Sequence, residues 1–242
     1  MIKRLLMLLI LCGQCVAQDK EEEFSERLGP VLKVRVLQQG RCPKGIPCTP
    51  VQVACGSCVL VDGKKTTQGT TNYTAVSAAH VVTKDCTQLT KTDKQWNSYP
   101  VDHYLEVQTD GKWKACRLKY VSKYSDICML TFASSADLQL VCVSQTAPKK
   151  DDVLRVVGYK ECDKLTTLPA VSLWTDEGSE SLDAFHRTPE NIAPGMSGGA
   201  VLDSHGDLVG ITVGFPTVSQ GSVGVFTGQL AVKRFVDSSL DK

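Results

Sequence analysis

The chain reads as an all-β protein of two β units followed by one short helix, and three features of its 242 residues lead there. From Val31 onward, short runs rich in Val, Thr, Leu and Tyr alternate with Gly, Asp, Lys and Ser punctuation, the texture of strands and turns. That texture lapses between Ala133 and Asp152 into Ser-Ser-Ala-Asp and Ala-Pro-Lys-Lys-Asp-Asp, a natural joint between two units. At the far end Leu230, Val232, Phe235, Val236 and Leu240 approximate a helical apolar stripe. Many short strands with recurring turns argue for a sandwich or barrel rather than alternating βαβ units.

In chain order, residues 1–17 have the layout of a secretory signal: Lys3 and Arg4, an apolar run from Leu5 to Cys12, then the small-residue exit Cys15-Val16-Ala17. The apolar run is about half of the roughly 20 residues a spanning helix needs. The expectation is therefore export with cleavage near Ala17, and no stable membrane span. Residues 18–30 are an acidic N-terminal extension. The first unit, 31–135, offers strands at Val31–Leu37, Val51–Val61, Asn72–Ser77, Leu105–Thr109, Trp113–Val121 and Ile127–Phe132, with Asp62-Gly63 and Asp110-Gly111 as hairpin turns. Residues 136–152 are the expected linker. The second unit, 153–228, offers Val153–Tyr159, Ala170–Trp174, Gly199–Leu202, Leu208–Val213 and Gly224–Thr227, with a turn at His205-Gly206-Asp207. The expected helix and tail fill 229–242.

Lys and Arg number 27 against 26 Asp and Glu, giving a net charge of +1 with no long same-sign run. Nothing there builds a basic stripe for a phosphate backbone, so nucleic acid is not expected as a partner. Of eleven cysteines, nine remain after the leader, and an odd number in an oxidising compartment implies disulfides plus a free or intermolecular thiol. Cys42 and Cys48, spaced around Pro43, Gly45 and Pro47, suggest a stapled loop, whereas Cys128 within Ile127-Cys128-Met129-Leu130 reads as a buried thiol. Cys55-Gly56-Ser57-Cys58 has zinc-like spacing but no second pair, and in a strand an offset of three sends the two side chains to opposite faces. No metal and no cofactor are expected.

Three segments carry chemistry. In Pro194-Gly195-Met196-Ser197-Gly198-Gly199 a serine sits between glycines at the start of a β run. Gly195 and Gly198 permit backbone geometries a Cβ would obstruct, so the amides of Gly195 and Ser197 can converge as an oxyanion hole. In Thr74-Ala75-Val76-Ser77-Ala78-Ala79-His80, small residues let the chain bend and present an imidazole as general base at a strand end. His103 and His205 lie in polar, turn-like surroundings, and neither they nor His186 has that neighbourhood. In Ser125-Asp126-Ile127-Cys128-Met129-Leu130 an acid directly precedes an apolar strand, where a desolvated carboxylate can fix the imidazole tautomer.

His after small residues, then Asp before Ile-x-x-Leu, then Gly-x-Ser-Gly-Gly resembles the trypsin/chymotrypsin superfamily in residue type and order. The separations are 46 residues from His80 to Asp126 and 71 from Asp126 to Ser197. The resemblance spans Val31 to Asp237 and implies two six-stranded antiparallel β-barrels with a short C-terminal helix. It implies a Ser197–His80–Asp126 triad working through an acyl-enzyme, and a polypeptide substrate bound in extended form beside Leu208–Phe215. Thr188, Asn191, Thr212, Val213, Gly214 and Phe215 fall where such a substrate and its specificity pocket would lie.

Two departures matter. Met196 stands where activated digestive members have the Asp that receives a new N-terminus, so the resemblance is closer to the high-temperature-requirement and viral chymotrypsin-like proteases, and activity is expected without N-terminal cleavage. Asn191 replaces the Asp that reads Arg or Lys, and Thr212 replaces the His that reads Gln or Glu in picornavirus-type enzymes, so neither strict preference is expected. Asn72-Tyr73-Thr74 is a glycosylation acceptor pattern, in a strand that would hide it. Other readings share parts of this pattern: an inactive binding protein of the same fold, a secreted β-sandwich adhesin or inhibitor, and a virus-encoded or membrane-associated processing protease that keeps its leader.

Overall fold

A computed structural model of the chain describes residues 29–40, 49–88, 101–122, 124–175, 184–187, 192–214 and 223–240. The leader, residues 18–28 of the acidic extension, Cys42, Cys48, Thr188, Asn191 and Phe215 lie outside them. The first unit contains β1 (Val31–Gly40), β2 (Val51–Lys65), β3 (Thr71–Ser77), α1 (Ala79–Gln88), β4 (Val101–Thr109), β5 (Lys112–Val121) and β6 (Cys128–Ser134). Its strands close in the order β1-β2-β3-β6-β5-β4, every neighbour antiparallel. The second contains β7 (Val153–Lys160), β8 (Lys164–Thr175), β9 (Ala184–Arg187), β10 (Ala200–Leu202), β11 (Leu208–Gly214) and β12 (Val223–Gly228), followed by α2 (Gln229–Leu240). Five of these strands curl into most of a barrel and the four-residue β9 closes it, giving β10-β11-β12-β9-β8-β7.

Closure leaves no sheet edge to cover, and alternation then sends every second side chain inward. Val34, Leu60, Ala75, Val76, Val107 and Leu130 are buried in the core around the first barrel. The same apolar cluster runs on through Val157, Ala200, Leu202, Leu208 and Ile211 to Val232 and Val236 of α2, so the helix and both barrels share one core. A second cluster, including Leu154, Val156, Leu168, Met196, Val209 and Phe226, lies within the second unit. No helix among the described residues is long and apolar enough to cross a membrane.

The all-β, two-barrel architecture with its terminal helix is present, and local differences have identifiable causes. Asp110-Gly111 does turn, with φ of 48° and 72°, the left-handed pair that a tight hairpin requires. Asp62-Gly63 does not: β2 runs through it with a bulge between Leu60 and Asp62, and the turn comes at Thr66–Thr70, closed by Thr66 N donating to Thr70 O at 2.8 Å. A Cβ on Gly63 would come within 3.2 Å of the Tyr73 ring, so that glycine serves ring packing. β8 starts at Lys164, well before Ala170, because Pro169 needs no donor on that stretch: it pairs only with Arg155 of β7, before β9 joins. The terminal stripe holds at Val232 and Val236, whereas Leu230 is exposed.

Candidate active site

The loop between Ile192 and Ala200 is built around two glycines in left-handed backbone, Gly195 at φ 90° and Gly198 at φ 84°. Neither position has room for a side chain. A Cβ on Gly195 would strike Cys162 N and Tyr159 O, and one on Gly198 would strike Ser57 O and Ser77 Oγ. Within this loop Met196 N–H donates to Ala193 O at 3.1 Å, Gly198 N–H to Thr212 O at 2.7 Å and Gly199 N–H to Met196 O at 3.0 Å. The amides of Gly195 and Ser197 have no such acceptor among the described residues, which leaves the two N–H groups that an oxyanion hole uses. Met196 itself is fully buried in the second apolar cluster, a position no thioether-for-carboxylate exchange would tolerate without rebuilding the site.

His80 is not at a strand end but in the first turn of α1, three positions beyond the end of β3. The small residues Ala78 and Ala79 are both buried and let the chain pass directly from sheet to helix. Asp126, just before the neighbouring strand β6, whose Cys128 pairs with Ser77 at the end of β3, fixes this start. Its Oδ1 accepts the His80 backbone N–H at 2.8 Å and its Oδ2 lies 2.5 Å from His80 Nδ1. A carboxylate at a helix N-terminus satisfies amides that have no partner within the helix, and complements the dipole. Burial pushes the Asp126 carboxyl up, but the His80 ring, its charge and the backbone amides of His80 and Ala79 together outweigh burial and hold it below its ordinary value. One acid thus sets both the ring orientation and the helix that carries the ring.

Ser57 and Ser77 lock the two halves of the site together. Ser57, fully buried in β2, donates from Oγ to Gly195 O at 2.9 Å and accepts the Tyr159 amide at 2.8 Å. Its own N–H donates to Ser197 O at 2.8 Å, and its carbonyl accepts from Ser77 Oγ at 2.7 Å. The glycine beside it, Gly56, leaves room for that approach, since a Cβ there would lie 2.8 Å from Ser197 O. Behind Gly195, Cys162 forms a disulfide with Cys55, joining the β7–β8 turn to β2. That turn is also held by Glu161 N–H donating to Pro194 O at 2.7 Å. The serine loop of the second barrel therefore rests on the first barrel's β2 and on the end of β3, just before His80.

Of the residues singled out from sequence, His80 and Asp126 are joined, and Ser197 is presented by the loop that packs on their barrel. Ser197 Oγ donates to Val213 O at 2.9 Å, and no hydrogen bond joins it to His80. Val213 is the extra residue of a bulge in the β11–β12 ladder, which releases its carbonyl from strand pairing. Thr212 is buried with no partner for its hydroxyl among the described residues, and its backbone clamps the loop through Gly198 and Gly199. Gly214 has open space around it. His103 belongs to β4, its Nε2 buried and without a hydrogen-bond partner among the described residues, and His205 is exposed in the β10–β11 turn. Ser57, Ser77, Tyr159 and the Cys55–Cys162 pair escaped the sequence reading. The one hint was the small-residue run Gly56-Ser57, which marks close backbone approach as readily as a turn.

A family described as trypsin-like peptidase domain matches residues 56–211. In three dimensions the chain is similar to the inactive form of the Rv3671c protease, at 14% identity, with 89% of this chain and 91% of that chain covered and a TM-score of 0.60. It is similar also to an inactive mutant form of Rv3671c from M. tuberculosis H37Rv, at 15% identity, 90% coverage of each chain and a TM-score of 0.61. The serine endoprotease from Yersinia pestis gives 16% identity and a TM-score of 0.59, with 89% of this chain covered and 64% of that one. No curated protein matches the sequence.

Proposed function

Because the chain belongs to the family of trypsin-like peptidase domains, we propose that it is a secreted serine endopeptidase that cleaves peptide bonds through an acyl-enzyme on Ser197. The observation that carries this reading is the doubly bonded His80–Asp126 pair, held beside a serine loop whose Gly195 and Ser197 amides are unengaged. In this mechanism Ser197 Oγ leaves the Val213 carbonyl, turns to His80 and attacks the scissile carbonyl as His80 takes its proton. His80 then protonates the leaving amine, and water repeats the sequence to release the acid. Asp126 orients the ring and stabilises the imidazolium. The developing oxyanion is met by the Gly195 and Ser197 amides, an arrangement whose single donors are worth about 3–4 kcal/mol in comparable enzymes. An extended substrate pairs with the bulged stretch at Val213 and Gly214, and Thr188, Asn191, Thr212 and Phe215 are the pocket residues of this reading.

The hydrogen bond from Ser197 Oγ to Val213 O favours a second reading, an inactive protein of the same fold that binds peptides without cleaving them. Reaction of the purified mature chain with a fluorophosphonate probe separates the two. Labelling that disappears in Ser197→Ala is expected, together with cleavage of a peptide library that reports the pocket preference. A well-folded chain that neither labels nor cleaves would leave only the binding reading.

A further inference from the structure

We infer that Asn72 is a site of N-linked glycosylation, its first sugars seated in an open groove on the outer wall of the first barrel. The inference is independent of the catalytic reading and rests on the proposed secretion. The chain has three asparagines, at 72, 97 and 191, and only Asn72-Tyr73-Thr74 has the acceptor pattern. A strand is an unusual home for it, and burial would normally make it silent. The fold removes that objection by the period of two along β3. Tyr73 points inward, 2% exposed, its ring stacked on Phe132 at 5.6 Å and its hydroxyl donating to Ala136 O at 2.7 Å. Asn72 beside it points out and is exposed. Its side chain makes no hydrogen bond with the described residues, so the amide nitrogen that would bear a sugar has no structural task to give up.

The surroundings suit a carbohydrate. Asn72 pairs across the sheet with Lys64 on one side and Ala133 on the other, so its neighbours are a flexible cation and a methyl group. Around it opens a groove of about 810 Å³ that also meets Asp62, Arg117, Thr131 and Leu240. The cations Lys64, Arg117 and Lys119 and the Asp62 carboxylate offer hydrogen bonds to hydroxyl-rich rings, and Leu118 and Leu240 offer apolar surface against which a sugar face can rest. Five strand steps of about 3.3 Å place Asn72 roughly 17 Å from Ser77, at the end of β3 remote from His80. The glycan would thus cover the barrel wall and leave the cleft open. Attachment precedes folding in the secretory route, so the burial of Thr74 in the finished strand does not obstruct it.

The chain is secreted from mammalian or insect cells behind a leader of proven function, so that delivery to the glycosylating compartment does not depend on residues 1–17, and is recovered folded from the medium. Most molecules are expected to carry one added glycan. Peptide-N-glycosidase should remove it and leave aspartate at position 72 in the peptide map. Asn72→Gln should abolish it, as should Thr74→Val, which keeps both the asparagine and the buried volume, while Thr74→Ser should retain it. Secreted, folded protein with the bare polypeptide mass would overturn the inference, and so would a glycan that survives Asn72→Gln. Fluorophosphonate labelling of Asn72→Gln at the wild-type rate is expected as well. If every form fails to label, the catalytic reading falls while the glycan result stands on its own mass data.

Discussion

Asp126 does two jobs with one carboxylate, and the consequences can be told apart by pH. Its folded value lies below the ordinary one, with His80 the cause that outweighs burial. The stability it contributes is therefore complete above the ordinary carboxylate range, near pH 4, and is lost as pH falls through the lower folded value. Asp126→Asn should remove that acid-side slope from unfolding curves and should cut kcat by about 10⁴, because an amide holds the wrong imidazole tautomer. Equal acid sensitivity in the wild type and the variant would show that the pair does not contribute as described. The pairing of His80 with Asp126 and the glycine-framed loop of Ser197 were legible at this scale because each residue stands in a context with a physical use: small residues before the imidazole, an apolar strand after the acid, glycines around the hydroxyl. The helical setting of His80 was not, since Asp126 supplies the start of α1 from the bend before β6, distant in sequence, and local sequence carries no cap.

Between elements, the deciding contact is the one Ser57 makes from β2 to the serine loop. Replacing it by Ala would leave the Gly195 carbonyl and the Tyr159 amide without their buried partner. A buried polar group left unpaired costs about 1–3 kcal/mol, so Ser57→Ala should lower the unfolding midpoint. It should also lower kcat more than it raises KM, since the loop rather than the substrate strand is disturbed. A purely structural residue would move stability and leave the kcat-to-KM balance alone, and Ser57→Thr, which keeps the hydroxyl but adds a methyl against the loop, is expected to rescue neither fully. Nothing in Cys55-Gly56-Ser57-Cys58 announces this role. The same limit appears at the turns. Asp110-Gly111 and Asp62-Gly63 are chemically equivalent pairs, but the second is kept in strand by the Tyr73 ring packed against Gly63, a long-range contact no local pattern records.

At the scale of the whole molecule, the barrel pattern was readable because strand texture and turn signals recur along most of the chain, while β9, four residues without punctuation, was not. Among the described residues the first barrel also encloses three free thiols, Cys58, Cys116 and Cys128, of which only Cys128 was foreseeable from its apolar run. Burial raises all three, Cys58 well above its ordinary value and Cys116 and Cys128 from 9.0 to about 12. Their contribution to stability is complete below 9.0 and is lost as pH climbs toward 12, because the unfolded chain ionises first. Stability measured by equilibrium unfolding should therefore fall steeply over that interval, and Cys58→Ala or Cys128→Val should flatten the slope.

The bridge from Cys55 to Cys162 spans 107 positions and has one end in each barrel. It encloses the whole stretch from Ala136 to Asp152, so a single cut there by an added protease cannot set the halves free. The nicked molecule should migrate as one band on a denaturing gel until a thiol reductant is added, and as two afterwards.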